Sequence, residues 1–191
     1  MKYPSFNVKE FLIPEFTLDS GKMIRFWVQI VPEKENQTDG YWGVKKIFEI
    51  IENYNSQNLG VKIHLCPGKL KMSLFDFIKP IKVGQYLDKL YGQKSIKIKN
   101  DLKAFNIKPE YTLRKMGRAD QKLLSIICGI GQNDRVAFDF YGFAPDTEVK
   151  LLKYLQRKLN EGKSLLSFDN MEYKDKTIDQ MNIENLIIKR A

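Results

Sequence analysis

The chain of 191 residues holds one histidine and two cysteines. So few His and Cys, scattered as they are, make no metal-ligand cluster, and no metal centre is expected. Cys66 and Cys128 lie in or at the end of apolar runs, which predicts buried free thiols and no disulfide. No run approaches the roughly 18 apolar residues that a bilayer-spanning helix needs. No secretory hydrophobic region follows the amino terminus either. The expectation is a soluble, cytoplasmic protein without a transmembrane segment, associated with a membrane only through a partner. Disorder is excluded: hydrophobic residues make up 43% and aromatics 12% of the chain, and charges of both signs are interspersed.

What is present in excess is positive charge. The net charge is +9, and it is unevenly spread. Residues 1–60 carry 7 Lys/Arg and 8 Asp/Glu, residues 61–122 carry 15 and 5, and residues 123–191 carry 10 and 10. The whole excess falls in the middle third. Such a region suits an acidic partner, an anionic membrane surface or nucleic acid; a solvated lysine-rich face is the plainer alternative.

The clearest pattern lies in residues 116–170, which parse as helix, strand, helix, strand. Residues 119–129 are an apolar-rich helical run, and 135–138 an apolar strand leading into Asp139. Residues 148–159 read as an amphipathic helix, with Val149, Leu152, Leu155 and Leu159 inward and Lys150, Lys153, Arg157 and Lys158 in water. Gly162 supplies its stop, and 164–168 form a second short strand ending at Asp169. Short apolar strands alternating with helices indicate βαβ units and a parallel sheet covered on both faces. An acid at the carboxyl end of such a strand points into the crevice where α/β folds bind ligands.

The rest of this single domain is read in the same way. Segments 11–18 and 23–31, joined by Asp19-Ser20-Gly21-Lys22, predict an antiparallel hairpin. Residues 32–41 are loop-like, 42–54 have helical spacing, and 61–66 are a short strand. His64 lies in that strand and reads as a half-buried structural imidazole. Helical spacing at 83–91, and a piece at 96–105 that fits helix or strand, give a small basic helical lobe over 69–115. Residues 182–189 read as a last edge strand.

Two segments, RVAFDFYGFAPDTE and LNEGKSLLSFDN, together with the order of the parts, resemble the nucleotide-binding domain of ATP-binding-cassette (ABC) proteins over nearly the full chain. The first is similar to the family's Walker B strand and D-loop, the second to the strand leading to its switch histidine. The resemblance implies an α/β fold with a P-loop NTPase-like mixed sheet flanked by helices, an N-terminal antiparallel hairpin and a small helical lobe. The chemical positions differ from the family pattern. Its phosphate loop, G-x-x-x-x-G-K-[ST], wraps phosphates in backbone N–H groups and neutralises them with Lys. Here the matching QTDGYWGVKKIF keeps Gly40 and Gly43 but has Val44 at the Lys position, no Ser or Thr after it, and Tyr41 and Trp42 inside the loop. Asp139 stands at the Walker B aspartate. The next residue, a water-polarising carboxylate in the family, is Phe140, which can neither accept a proton nor orient water. The signature L-S-G-G-Q falls on Lys115-Met116-Gly117-Arg118-Ala119, and the switch histidine on Asp169. The resemblance therefore implies a degenerate cassette with no cofactor, in which ATP and Mg²⁺ are not expected to bind.

Several residues carry two readings. Asp139 and Asp169 form a candidate pair for a metal or for acid–base work, or each caps the turn that follows it. Lys45 and Lys46, beside Gly40 and Gly43, hold an anion at a helix start or are simply solvated. Tyr41 and Trp42 contact a partner or pack within the chain. In the family the helical lobe faces the membrane-spanning partner. The first expectation is thus a non-hydrolysing accessory or regulatory subunit acting by protein–protein contact, with an integral membrane transporter subunit as partner. A nucleic-acid binder using residues 61–122, with Lys94, Lys97 and Lys99 in the interface, is the alternative. A divergent but active ATPase that retains Asp139 is the second.

Overall fold

The computed structural model describes residues 2–8, 11–28, 51–52, 54–56, 62–66, 68, 70, 79–170 and 183–190. Its strands are β1 (Lys2–Tyr3), β2 (Phe6–Val8), β3 (Phe11–Ile13), β4 (Phe16–Thr17), β5 (Met23–Val28), β6 (His64–Leu65), β7 (Arg135–Asp139), β8 (Ser164–Asn170) and β9 (Ile183–Arg190). Its helices are α1 (Val83–Tyr91), α2 (Ser95–Lys103), α3 (Arg118–Gln132) and α4 (Pro145–Asn160), with 3-10 turns at Gly92–Lys94 and Leu113–Lys115. The chain divides into two units. One comprises Met1–Leu65, Asp134–Tyr141 and Leu155–Ala191; the other comprises Cys66–Asn133 and Gly142–Tyr154.

The first unit is built on a sheet of order β2-β3-β9-β5-β8-β7-β6. From β9 to β6 every pairing is parallel, while β2–β3 and β3–β9 are antiparallel, so the sheet is mixed. Strand β5 sits between β8 and β9 and is buried along its whole length, as the near-continuous apolar run MIRFWV requires of a strand covered on both faces. Alternation along β5 sends Ile24, Phe26 and Val28 to one face. There they join Ala137, Leu166, Phe168 and Ile188 in a core completed by Tyr3, Phe16 and Tyr54. Tyr3 stacks on Phe16 with ring centroids 4.6 Å apart, and Phe26 stacks on Phe168 at 5.2 Å.

An N-terminal antiparallel hairpin is present, but it is formed by β2 and β3, with Val8 opposite Phe11. The turn at Asp19–Lys22 does close, with the Lys22 N–H donating to the Asp19 carbonyl at 3.2 Å. The segments on either side of it do not pair with each other. β3 pairs with β2 and β9, β4 pairs with β1, and β5 runs parallel to its neighbours. The final strand β9 is likewise interior, because β3 covers the side that would otherwise be an edge. Alternating apolar residues give the face a strand presents, not the strand it pairs with.

In the second unit α1, α2 and α3 turn Val83 and Leu87, Ile98 and Leu102, and a run from Leu123 to Ile130 inward. The ambiguous piece at 96–105 is a helix; its buried residues Ser95, Ile98 and Leu102 recur at helical spacing. Within this unit the Tyr154 hydroxyl donates to Asp101 Oδ2 at 3.2 Å, and the Tyr154 ring meets Phe105 edge-on at 5.8 Å. Cys66 and Cys128 are buried free thiols, and burial pushes the Cys128 pKa up to about 12.

Helix α4 departs from its expected stripe. Val149 is exposed, whereas Leu151, Leu152, Tyr154, Leu155, Lys158 and Leu159 are buried. Lys158 runs its aliphatic stem through the packed face and places Nζ 3.1 Å from Glu161, so a lysine can occupy a core position while its charge stays paired. His64 on β6 keeps solvent access, and its partial burial lowers the imidazole pKa below the ordinary value.

Candidate functional site

Along the parallel part of the sheet the order is β9-β5-β8-β7-β6. The connection that leaves β5 leads to β6 at the far edge, and the one that leaves β8 returns across β5 to β9. Connections from these two neighbouring strands therefore depart in opposite directions. That is a topological switch point, and α/β sheets bind ligands outside the carboxyl ends of the strands there. The strand ends that frame it are Val28 on β5, Asn170 on β8 and, beside them, Asp139 on β7.

One charged cluster lies on the sheet face opposite the aromatic core. Arg25 is in register with Ser167 and with Asn185, and Trp27 with Asp169, so these side chains share a face. The Arg25 Nε donates to Asp169 Oδ2 at 2.6 Å; the arginine side chain is 3% exposed and that of Asp169 is 9% exposed. The guanidinium carbon lies 4.6 Å from the Trp27 ring centroid and 4.6 Å from that of Phe140. Trp27 in turn donates its indole N–H to Asn185 Oδ1 at 2.8 Å. A cation taken out of water has to be paired and hydrogen-bonded, and aromatic faces add attraction that grows with desolvation. The result is an arginine paired with a carboxylate of β8 and set against two aromatic rings. Arg25 was not among the residues expected to matter. The available signal was a single charge inside MIRFWVQIV, a strand whose apolar run predicts burial on both faces.

The two acids expected as a pair are not brought together. Asp139 is in register with Phe168, whereas Asp169 is one residue further along β8, so their side chains leave opposite faces of the sheet. A shared metal or a general acid–base pair is thereby ruled out for these two residues. Asp139 is buried, and its Oδ1 accepts the Tyr141 N–H at 2.9 Å, which fixes the turn that leaves the strand. Asp169 is committed to Arg25. No group of three or more potential metal ligands occurs among the described residues.

The other expected positions fall as follows. Gly40, Tyr41, Trp42, Gly43, Lys45 and Lys46 lie outside the described residues. Gly117 is the N-cap of α3 with extended backbone, and Arg118 opens the helix. Lys94 and Lys97 are exposed in the second unit. Lys99 is tied to Asp88, with Nζ 2.6 Å from Oδ1, and Ser95 Oγ donates to the same oxygen at 2.6 Å. Lys99 and then Ser95 hold the Asp88 carboxyl below the ordinary carboxylate range. No helix among the described residues is long and apolar enough to cross a membrane.

No family model and no curated protein sequence matches the chain. Solved structures do. A Pyrococcus furiosus protein assigned as an ABC transporter ATP-binding protein matches with a TM-score of 0.63 at 14% identity, over 95% of this chain and 92% of its own. A nucleotide-free ATP-binding cassette from an ABC transporter matches at 0.60 and 11%, over 96% and 86%. The ATP-binding subunit of an ABC transporter matches at 0.58 and 13%, over 90% and 77%. Identities this low with coverage this complete describe a shared fold. The mixed sheet, its N-terminal hairpin and the helical lobe together are the fold of an ATP-binding-cassette nucleotide-binding domain.

Proposed function

We propose that this protein is a non-hydrolysing ABC-ATPase-like protein of the cytoplasm that acts by protein–protein contact, as an accessory or regulatory subunit of a membrane transporter. The observation that carries this reading is the setting of Arg25. Phe140 follows Asp139 at the position expected for the water-polarising carboxylate, and its ring packs against the buried guanidinium. Asp169, at the position expected for the switch histidine, is bound to the same group. Both side chains are engaged in packing, and neither supplies a base or donor suited to triphosphate chemistry. Val44 in place of the phosphate-loop lysine supports the same conclusion. The protein then requires neither ATP nor Mg²⁺. Tyr41 and Trp42 are the candidates for contact with that partner.

Titrating the protein with ATP·Mg²⁺ tests this directly. The expected result is no binding tighter than about millimolar and no phosphate release above the buffer rate. Turnover that Asp139→Asn abolishes would overturn the proposal and make the chain a divergent ATPase. A second reading, nucleic-acid binding through residues 61–122, rests on the exposure of Lys94 and Lys97. Its mark is an affinity that falls with salt by about one counterion per phosphate contact, and that Lys94→Glu with Lys97→Glu removes.

A further inference from the structure

We propose that the corner between α1 and α2 is a docking surface for anionic lipid headgroups. The corner is residues 89–97, read KLYGQKSIK, and it contains no Asp or Glu. Helix α1 ends at Tyr91, a 3-10 turn of Gly92, Gln93 and Lys94 follows with all three residues exposed, and α2 starts at Ser95. Two large aliphatic side chains flank this turn and face outward: Leu90 is 52% exposed and Ile96 is 64% exposed. Neither is needed for the packing of its helix. Leu87 does that work in α1, and Ile98 and Leu102 do it in α2. Around the aliphatics stand Lys89, Lys94 and Lys97, all exposed. The nearest acid along the chain, Asp88, is paired with Lys99 at 2.6 Å.

This composition selects among anionic partners. Nucleic acid rewards arginine forks and exposed aromatic planes, and residues 89–97 have no Arg and only a half-buried Tyr91. An aliphatic pair gains nothing against a phosphate backbone. At a membrane surface it enters the boundary between headgroups and acyl chains, while lysine stems lie along it and hold their ammonium groups among anionic headgroups. A fluid surface also requires no shaped counterpart for a short, exposed turn. The proposal is independent of whether the first unit hydrolyses ATP, and it places the lobe at a membrane surface without requiring a spanning helix.

Co-sedimentation of the full chain with phosphatidylcholine vesicles, with and without about one-third phosphatidylserine, tests it. Binding is expected only to the phosphatidylserine vesicles, and it should weaken as salt rises. Lys94→Glu with Lys97→Glu should lower the partition coefficient at least about 30-fold, since each lysine near such a surface contributes about fivefold. Leu90→Ser with Ile96→Ser should lower it about tenfold. Lys150→Glu with Lys153→Glu, an equal change of net charge on exposed positions of α4, should cost far less. Circular dichroism of each variant checks that the fold is kept, and ATP turnover on the same preparations reads the earlier proposal separately. Absence of sedimentation at low salt overturns the inference, as does an equal loss in the α4 pair. Binding of polyglutamate or duplex DNA that ignores Leu90 and Ile96, without vesicle binding, overturns it in favour of an acidic protein or nucleic-acid partner.

Discussion

Two ion pairs brace the parallel strands of the sheet unit, and they differ in almost everything except length. At the amino end, Lys163 Nζ lies 2.7 Å from Asp134 Oδ1, immediately before β8 and β7, with side chains 19% and 89% exposed. Toward the carboxyl end, Arg25 and Asp169 meet at 2.6 Å inside the protein. Similar geometry does not imply similar energy. An exposed pair is screened by water and salt and contributes little, whereas a buried pair costs a great deal to assemble and as much again to break. The functional lesson follows from where each sits. α/β sheets bind ligands beyond the carboxyl ends of their strands, and the buried pair lies within the strands that lead there, Arg25 midway along β5 and Asp169 one residue before the end of β8. The exposed pair is an ordinary surface contact. The buried one ties two neighbouring parallel strands together on the face opposite the aromatic core.

The sharpest way to break this comparison is to remove one half of the buried pair. Asp169→Ala leaves a guanidinium without its carboxylate in a dry site and should cost about 3–5 kcal/mol, read as a shifted midpoint in urea. Replacing both partners together, Arg25→Met with Asp169→Leu, should recover most of that loss, because apolar side chains of similar volume need no counter-ion. A loss below about 1 kcal/mol, the range of surface pairs, would mean that water reaches Arg25 and that the two pairs are equivalent after all.

The helices and the strands flanking them were legible because their apolar spacing is strong: residues 83–91 and 164–168 emerge nearly as read. Pairing was less legible. β1 and β2 are too short to carry a pattern, so the sequence suggests a hairpin of segments 11–18 and 23–31 where the chain pairs β2 with β3. In α4 polarity does not give the buried stripe. Lys158 lies on the buried face, and Val149 does not. At the site, Asp139 and Asp169 were both correctly placed at strand ends, yet spacing along separate strands said nothing of register. Register is what puts them on opposite faces. Arg25 was missed for a related reason: a lone charge in an apolar strand has no periodicity to announce it, only the physical demand for a buried partner.

A smaller effect should come from the turn that enters β8. Gly162 has φ of +90°, and its carbonyl accepts a hydrogen bond from Ser20 Oγ at 2.9 Å. A Cβ there would meet that same Oγ at 3.2 Å. Gly162→Ala should cost about 1–3 kcal/mol, mostly backbone strain, measurable by thermal melting. A neutral result would show that the amino end of the sheet yields more easily than the end holding Arg25, which widens the contrast between the two.

The smallest effect belongs to the exposed pair, and pH isolates it. Lys163 holds the Asp134 carboxyl below the ordinary carboxylate range, first by its hydrogen bond and then by its charge. A carboxyl whose pKa is depressed on folding adds stability at pH values above its unfolded pKa, about 3.9. It loses that contribution as pH falls through the lower, folded value. Asp134→Asn removes the titration but keeps the backbone carbonyl that accepts the Ser164 N–H at 2.8 Å, so the start of β8 stays anchored. At neutral pH and low salt the variant should be less stable by under about 1 kcal/mol. The gap should narrow as salt rises, and it should close as the solution is acidified below the carboxylate range. Melting curves of both proteins across that range decide the matter. A gap as large as that of Asp169→Ala, or one that persists in acid, would place Asp134 in a dry environment and erase the distinction between the two ends of the sheet.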